Sequence, residues 1–242
     1  MAQNPVLRED SFERLNALNV AQPMTLQGTI NKTFLLLFIC VLCAMFAWTN
    51  MQIFMSGIVW VIALAALGVA LAVSFKPAWS PVGAPVYAAL EGLLLGGISA
   101  AYNAQTNGIV FNAVAVTLLV FFLMLAVYRL QIIRVTRGFA IGVFCATGAI
   151  CLLYIGSFVL SLFGVNPAYL TSNSPLSIGI SVVVCIVAAL NFLLDFNFID
   201  QMTRRYDAPK YMEWYGAFGL LVTLIWLYIE ILRLLSKANS RR

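Results

Sequence analysis

The sequence predicts an all-α, polytopic membrane protein, a bundle of seven transmembrane helices. Three observations predict it. Of the 242 residues, 62% are hydrophobic and only 10% are charged, against about 25% charged in soluble domains. The mean hydropathy is +0.95. The apolar residues also gather into successive runs close to the ~20 residues that a spanning helix needs. Outer-membrane strands would be shorter and would alternate in polarity.

Residues 1–31 are polar and of mixed charge, with Arg8, Glu9, Asp10, Glu13 and Arg14. A signal peptide would pass from a short basic region straight into an apolar core, so an uncleaved tail with a short helix near Asp10–Leu18 is expected. The membrane domain is expected over 32–235, followed by a short basic tail over 236–242. Its runs are about Thr33–Trp48, Ile53–Phe75, Val82–Tyr102, Gly108–Tyr128, Gly138–Phe163, Leu176–Ile199 and Trp214–Leu235. Lys76-Pro77 ends the second, because proline disfavours helix at the residue before it.

The connections alternate in charge. Those at 50–52, 103–107 and 164–175 hold no Lys or Arg, whereas the others carry Lys76, then Arg129, Arg134 and Arg137, then Arg204, Arg205 and Lys210. With Arg8, Arg14 and Lys32 in the tail, the positive-inside rule puts the N-terminus in the cytoplasm. Arg233, Lys237, Arg241 and Arg242 break the pattern at the far end. A re-entrant last segment would explain them; the segment's length favours a full span. The excess positive charge therefore orients the chain and does not point to nucleic acid. The lipid bilayer is the first partner.

Histidine is absent, and all five cysteines lie inside apolar runs. Imidazole relays, Ser-His and Cys-His catalysis and His-based zinc sites are thereby excluded. Cys40-x-x-Cys43 reads as small side chains on one helix face. H-E-x-x-H, G-x-S-x-G and P-loop patterns are missing, so no enzymatic activity and no cofactor are expected.

Carboxylates inside apolar runs are the candidate functional groups, since each costs about 2.5–3.5 kcal/mol at a helix centre. Glu91 lies near the middle of the third run, beside a small-residue stripe of Ala88, Gly92, Gly96 and Ala100 that lets a neighbouring helix approach closely. Asp195 lies about one turn inside the sixth run, with Asn191 four residues earlier on the same face. Asp200 and Glu213 flank the next loop and read as solvated helix-end charges. Glu230 stands one turn before Arg233, the spacing of an i, i+3 ion pair. Calcium wants several hard oxygen ligands. Glu91 and Asp195 could bind it transiently, with Asn191 adding a neutral oxygen. Without histidine, a response near neutral pH has to come from carboxyls, and Asp195 is expected to share a proton or hydrogen bond with another one. Glu213 and Glu230 are the next candidates for the pH sensor.

The stretches YAALEGLLLGGISA, IIRVTRGF, LNFLLDFNFID and EWYGAFGLLVTLIWLYIEILRLL resemble the transmembrane Bax inhibitor motif family, in a bacterial Bax-inhibitor-like branch. The resemblance runs from about residue 32 onward. It implies seven helices with the last at the centre, a pH-sensitive calcium leak in the bacterial inner membrane and, in some members, control of a membrane protease. It also implies a sensor of two aspartates, on the sixth and seventh helices, one of them latched by an arginine. Asp195 matches the first. The family's ending, laid on this one without gaps, puts Thr223 at the second; Glu213 and Glu230 are the nearest carboxylates, and Glu91 with Asp195 is a candidate replacement pair. Two readings follow: a proton-regulated calcium or cation leak, or a non-transporting membrane protein that regulates a protease or a stress pathway.

Overall fold

The computed structural model describes residues 23–50, 57–164, 172, 174–204 and 208–240. The helix expected at 10–18, and Arg205, Asp207, Arg241 and Arg242, lie outside the described residues. Among the described residues seven α-helices follow one another: α1 (Leu26–Thr49), α2 (Ile58–Phe75), α3 (Ser80–Gln105), α4 (Ile109–Arg129), α5 (Arg137–Leu162), α6 (Pro175–Arg204) and α7 (Met212–Asn239). All are long and apolar enough to cross a membrane. The shortest has 18 residues and the longest 30, about 27–45 Å at 1.5 Å per residue. The protein is an integral, multi-pass membrane protein.

Helix ends fall where local chemistry sets them, often beyond the apolar run. The Thr25 hydroxyl caps α1 by accepting from the Gly28 amide at 2.9 Å, so the helix begins ahead of its apolar part. Thr136 caps α5 in the same way, through the Phe139 amide. Between α3 and α4 the chain turns at Gly108, where φ is +79°, a conformation glycine adopts at little cost.

The core is built around α7, which packs against α1, α3, α4 and α6. The outer helices are α2, which rests on α3, and α5, which rests on α6. Their faces carry Trp60, Leu64, Phe144 and Leu152 largely exposed, the surface a bilayer takes as solvent. In α3, Ala88, Gly92, Gly96 and Ala100 are all buried. A Cβ at Gly92 would run into the Cys40 carbonyl, and one at Gly96 into that of Ala44. Thus α1 and α3 meet backbone to backbone, as small-residue stripes permit.

Helices α6 and α7 run antiparallel along their length. Thr223 meets Asp195 toward one end, and Lys237 meets Ser181 at the other. The last segment therefore traverses the whole bundle and is not re-entrant. The end carrying Leu26, Arg129, Arg137, Arg204 and Met212 is called the basic end below.

Candidate functional site: a polar seam between three helices

On α7, Gly216, Gly219, Thr223, Glu230, Arg233 and Lys237 recur at spacings of three, four and seven residues, which puts them on one helix face. That face looks toward α6, which supplies Ser181, Asn191 and Asp195, and toward α5, which supplies Thr147 and Tyr154 two turns apart. A polar seam results.

At the basic end the seam begins as a cavity of about 300 Å³, bordered by Phe198, Tyr215, Gly216, Gly219 and Asp195. Phe198 and Tyr215 stand edge to face there, with ring centroids 5.9 Å apart. Gly219 keeps the cavity open as far as the carboxylate, since a Cβ there would lie 3.9 Å from Asp195 Oδ1. Asp195 is half-buried and faces this space. Its Oδ2 accepts from Thr223 Oγ1 at 2.6 Å.

Beyond Asp195 the seam is filled by side chains. Asn191 Nδ2 donates to Thr147 Oγ1 at 2.8 Å and to the Val187 carbonyl at 2.9 Å. Next comes a triad. Tyr154 Oη donates to Glu230 Oε1 at 2.8 Å, and Arg233 Nη1 donates to Tyr154 Oη at 2.8 Å and to Glu230 Oε1 at 3.1 Å. At the far end the buried Lys237 donates from Nζ to Ser181 Oγ at 2.8 Å. Buried charge is tolerated only where partners compensate it. Among the described residues Glu230 has an arginine and a phenol, whereas Asp195 has one neutral hydroxyl and an open cavity. It is the carboxylate best placed to exchange a proton or meet a cation.

The structure separates the other candidates. Glu91, on α3, is half-buried, with Tyr87 and Cys40 as its side-chain neighbours. It does not meet Asp195, so the expected carboxyl pair does not form. Among the described residues the hydrogen-bond partner of Asp195 is Thr223, the residue that the resemblance set at the second aspartate's position. Nor do Glu91 and Asp195 make a joint calcium site. Among the described residues no three Cys, Asp or Glu side chains converge as a metal cage.

Glu213 is not the solvated helix-end charge the sequence suggested, because its side chain is only 2% exposed. It pairs with Lys32 and accepts from the Thr25 amide at 2.9 Å and hydroxyl at 2.8 Å. Just below, the Met24 amide donates to the Ala208 carbonyl at 2.7 Å. The start of α1 is thereby clasped to the start of α7. Glu230 and Arg233 do form the i, i+3 pair, inside the bundle. Asp200 pairs with Arg204 at 2.6 Å at the partly exposed helix end.

Thr147, Tyr154 and the two α7 glycines were not singled out from the sequence. The seven-residue spacing of Thr147 with Tyr154, and of Gly216 with Thr223 and Glu230, was the signal that could have found them.

These features define a membrane bundle of seven described helices with a polar seam along its central helix. The model of the family described as Bax inhibitor 1 like matches residues 4–240. The chain belongs to that family. No curated protein matches it.

Proposed function

We propose that this protein is a proton-sensitive cation leak, with calcium as the ion and no enzymatic activity. The observation that supports the reading best is the placement of Asp195. It borders an open cavity, bound among the described residues to a single hydroxyl, with a polar seam continuing through the bundle behind it. The carboxylate offers a hard oxygen to a cation. Opening requires the Asn191–Thr147 and Glu230–Arg233–Tyr154 contacts to part, so the arrangement described is the closed one. Proton binding to Asp195 shifts the balance between closed and open only by its differential affinity for the two states.

The test is calcium flux by the purified protein in liposomes across a pH range. Wild type should conduct and respond to pH. Gly219→Leu, which fills the cavity beside Asp195, should cut flux at least several-fold at every pH while the protein still folds. Full flux in that variant would remove the cavity from the path. If wild type itself carries no ion at any pH, the non-transporting reading, regulation of a membrane protease or stress pathway, takes its place.

We also place the basic end, and with it the N-terminus, in the cytoplasm of a bacterium whose inner membrane holds the protein, from the distribution of Lys and Arg. In a background lacking the five native cysteines, a cysteine at the exposed Thr136 should react only from the cytoplasmic side, and one at the exposed Ser240 only from outside. Reaction at Thr136 from outside would overturn the orientation, and reaction at both positions from the cytoplasmic side would contradict a full span by α7.

A further inference from the structure

Helices α1 and α4 both pack on α7 but stand apart from each other. The space between them is a groove made of two cavities, of about 500 and 280 Å³. The larger reaches to Trp48 and is floored by Leu221, Leu224 and Ile225 of α7. The smaller runs to Tyr128 and Arg129 at the basic end. Leu37 borders both.

We propose that this groove is a binding site for one anionic phospholipid, with its phosphate at Arg129 and an acyl chain lying along α7. Charge selects the headgroup. Arg129 is exposed on the last turn of α4. The carboxylate that shares its rim, Asp200, is engaged by Arg204 at 2.6 Å. The rim thus keeps one uncompensated guanidinium among the described residues, and a phosphate suits its planar fork of donors. The neighbouring Tyr128 hydroxyl is a further donor. Shape selects the tail. The two cavities share the half-buried Leu37 as a wall, and a flexible chain laid over that side chain can fill both. A packed helix, about 10 Å across, cannot. The walls beyond the rim are nearly all hydrocarbon, so a free phosphate has nothing to bind there. The bound chain rests on α7 on the opposite side from the seam.

The experiment uses the full-length protein, purified in mild detergent and offered equal amounts of phosphatidylglycerol and phosphatidylcholine with identical chains. Retained lipid is read by native mass spectrometry. Wild type should keep the anionic lipid several-fold over the zwitterionic one. Arg129→Gln should bring the ratio close to one, and Arg129→Lys should preserve most of the preference. Val114→Trp fills the groove from a partly exposed position and should reduce both lipids together. Each variant is first matched to wild type in helical content and melting. Equal retention of the two lipids by wild type overturns the proposal. So does a preference untouched by Arg129→Gln, or lipid retention untouched by Val114→Trp. If glycerophosphate without acyl chains competes as well as the whole lipid, the groove plays no part and the site is one for free phosphate. If a second copy of the chain leaves with Val114→Trp while lipid stays, the groove holds protein.

Discussion

Asp195→Asn should hold calcium flux at the level wild type reaches on its acid limb, at every pH. Asparagine keeps the size of the side chain and fixes its charge at zero, so the variant copies the protonated protein permanently. The reason to expect a large effect is the surroundings of Asp195. Thr223 is its one hydrogen-bond partner among the described residues, and a cavity lies beside it. Each unit by which the carboxyl's pKa differs between closed and open states is worth about 1.4 kcal/mol of bias. A difference of two units therefore moves the closed-to-open ratio about a hundredfold. The measurement is flux against pH in liposomes, wild type beside variant. A variant with the wild-type midpoint and slope would mean that Asp195 is not the sensor. The search would then move to Glu230, the other carboxylate in the seam. Thr223→Val is the companion change. It removes the hydroxyl but not the acid, so the pH response should persist with a displaced midpoint.

The largest loss of stability should come from Lys32→Met. Methionine matches the aliphatic stem and removes the charge, leaving Glu213 without its ion partner at 2% exposure. Removing one member of a buried ion pair typically costs about 3–5 kcal/mol. The two Thr25 donors remain and keep the loss toward the lower figure. Glu213→Gln in the same chain removes the orphaned charge and should restore most of the stability. Thermal unfolding in detergent, followed by the loss of helix signal, compares the three proteins. A single variant as stable as wild type would show that the pair contributes little and that the clasp rests on Thr25 and the Met24–Ala208 bridge.

The helices were legible in the sequence because a bilayer imposes one rule on every spanning segment, about 20 apolar residues in a row. Their ends were less legible. Thr25 starts α1 by a hydrogen bond, and hydropathy does not record it. Asp195 stood out because charge inside an apolar run is costly. Its partner did not, since Thr223 is unremarkable by composition and only its overlay on the family's ending marked it. Glu213 was misread for a related reason. Near a loop, a carboxylate clasped by Lys32 looks the same in sequence as one in water, and the two lie far apart in the chain. Glu91 and Asp195 are similar by hydropathy, yet one faces α1 and the other α7, a difference that depends on packing between helices.

The position of α7 has a consequence for how the protein is made. The helix on which α1, α3, α4 and α6 converge is made after all the other described helices. Chains are synthesised from the N-terminus, so α1 to α6 wait in the bilayer for the helix that joins them. During that interval Asp195 lacks Thr223, Tyr154 lacks Glu230, and the start of α1 lacks Glu213. The backbone approach of α1 to α3 at Gly92 and Gly96 needs nothing from α7 and can hold an early nucleus together. A nascent chain stopped before Met212 is therefore an intermediate in which Asp195, Tyr154 and the start of α1 still lack the partners that α7 supplies.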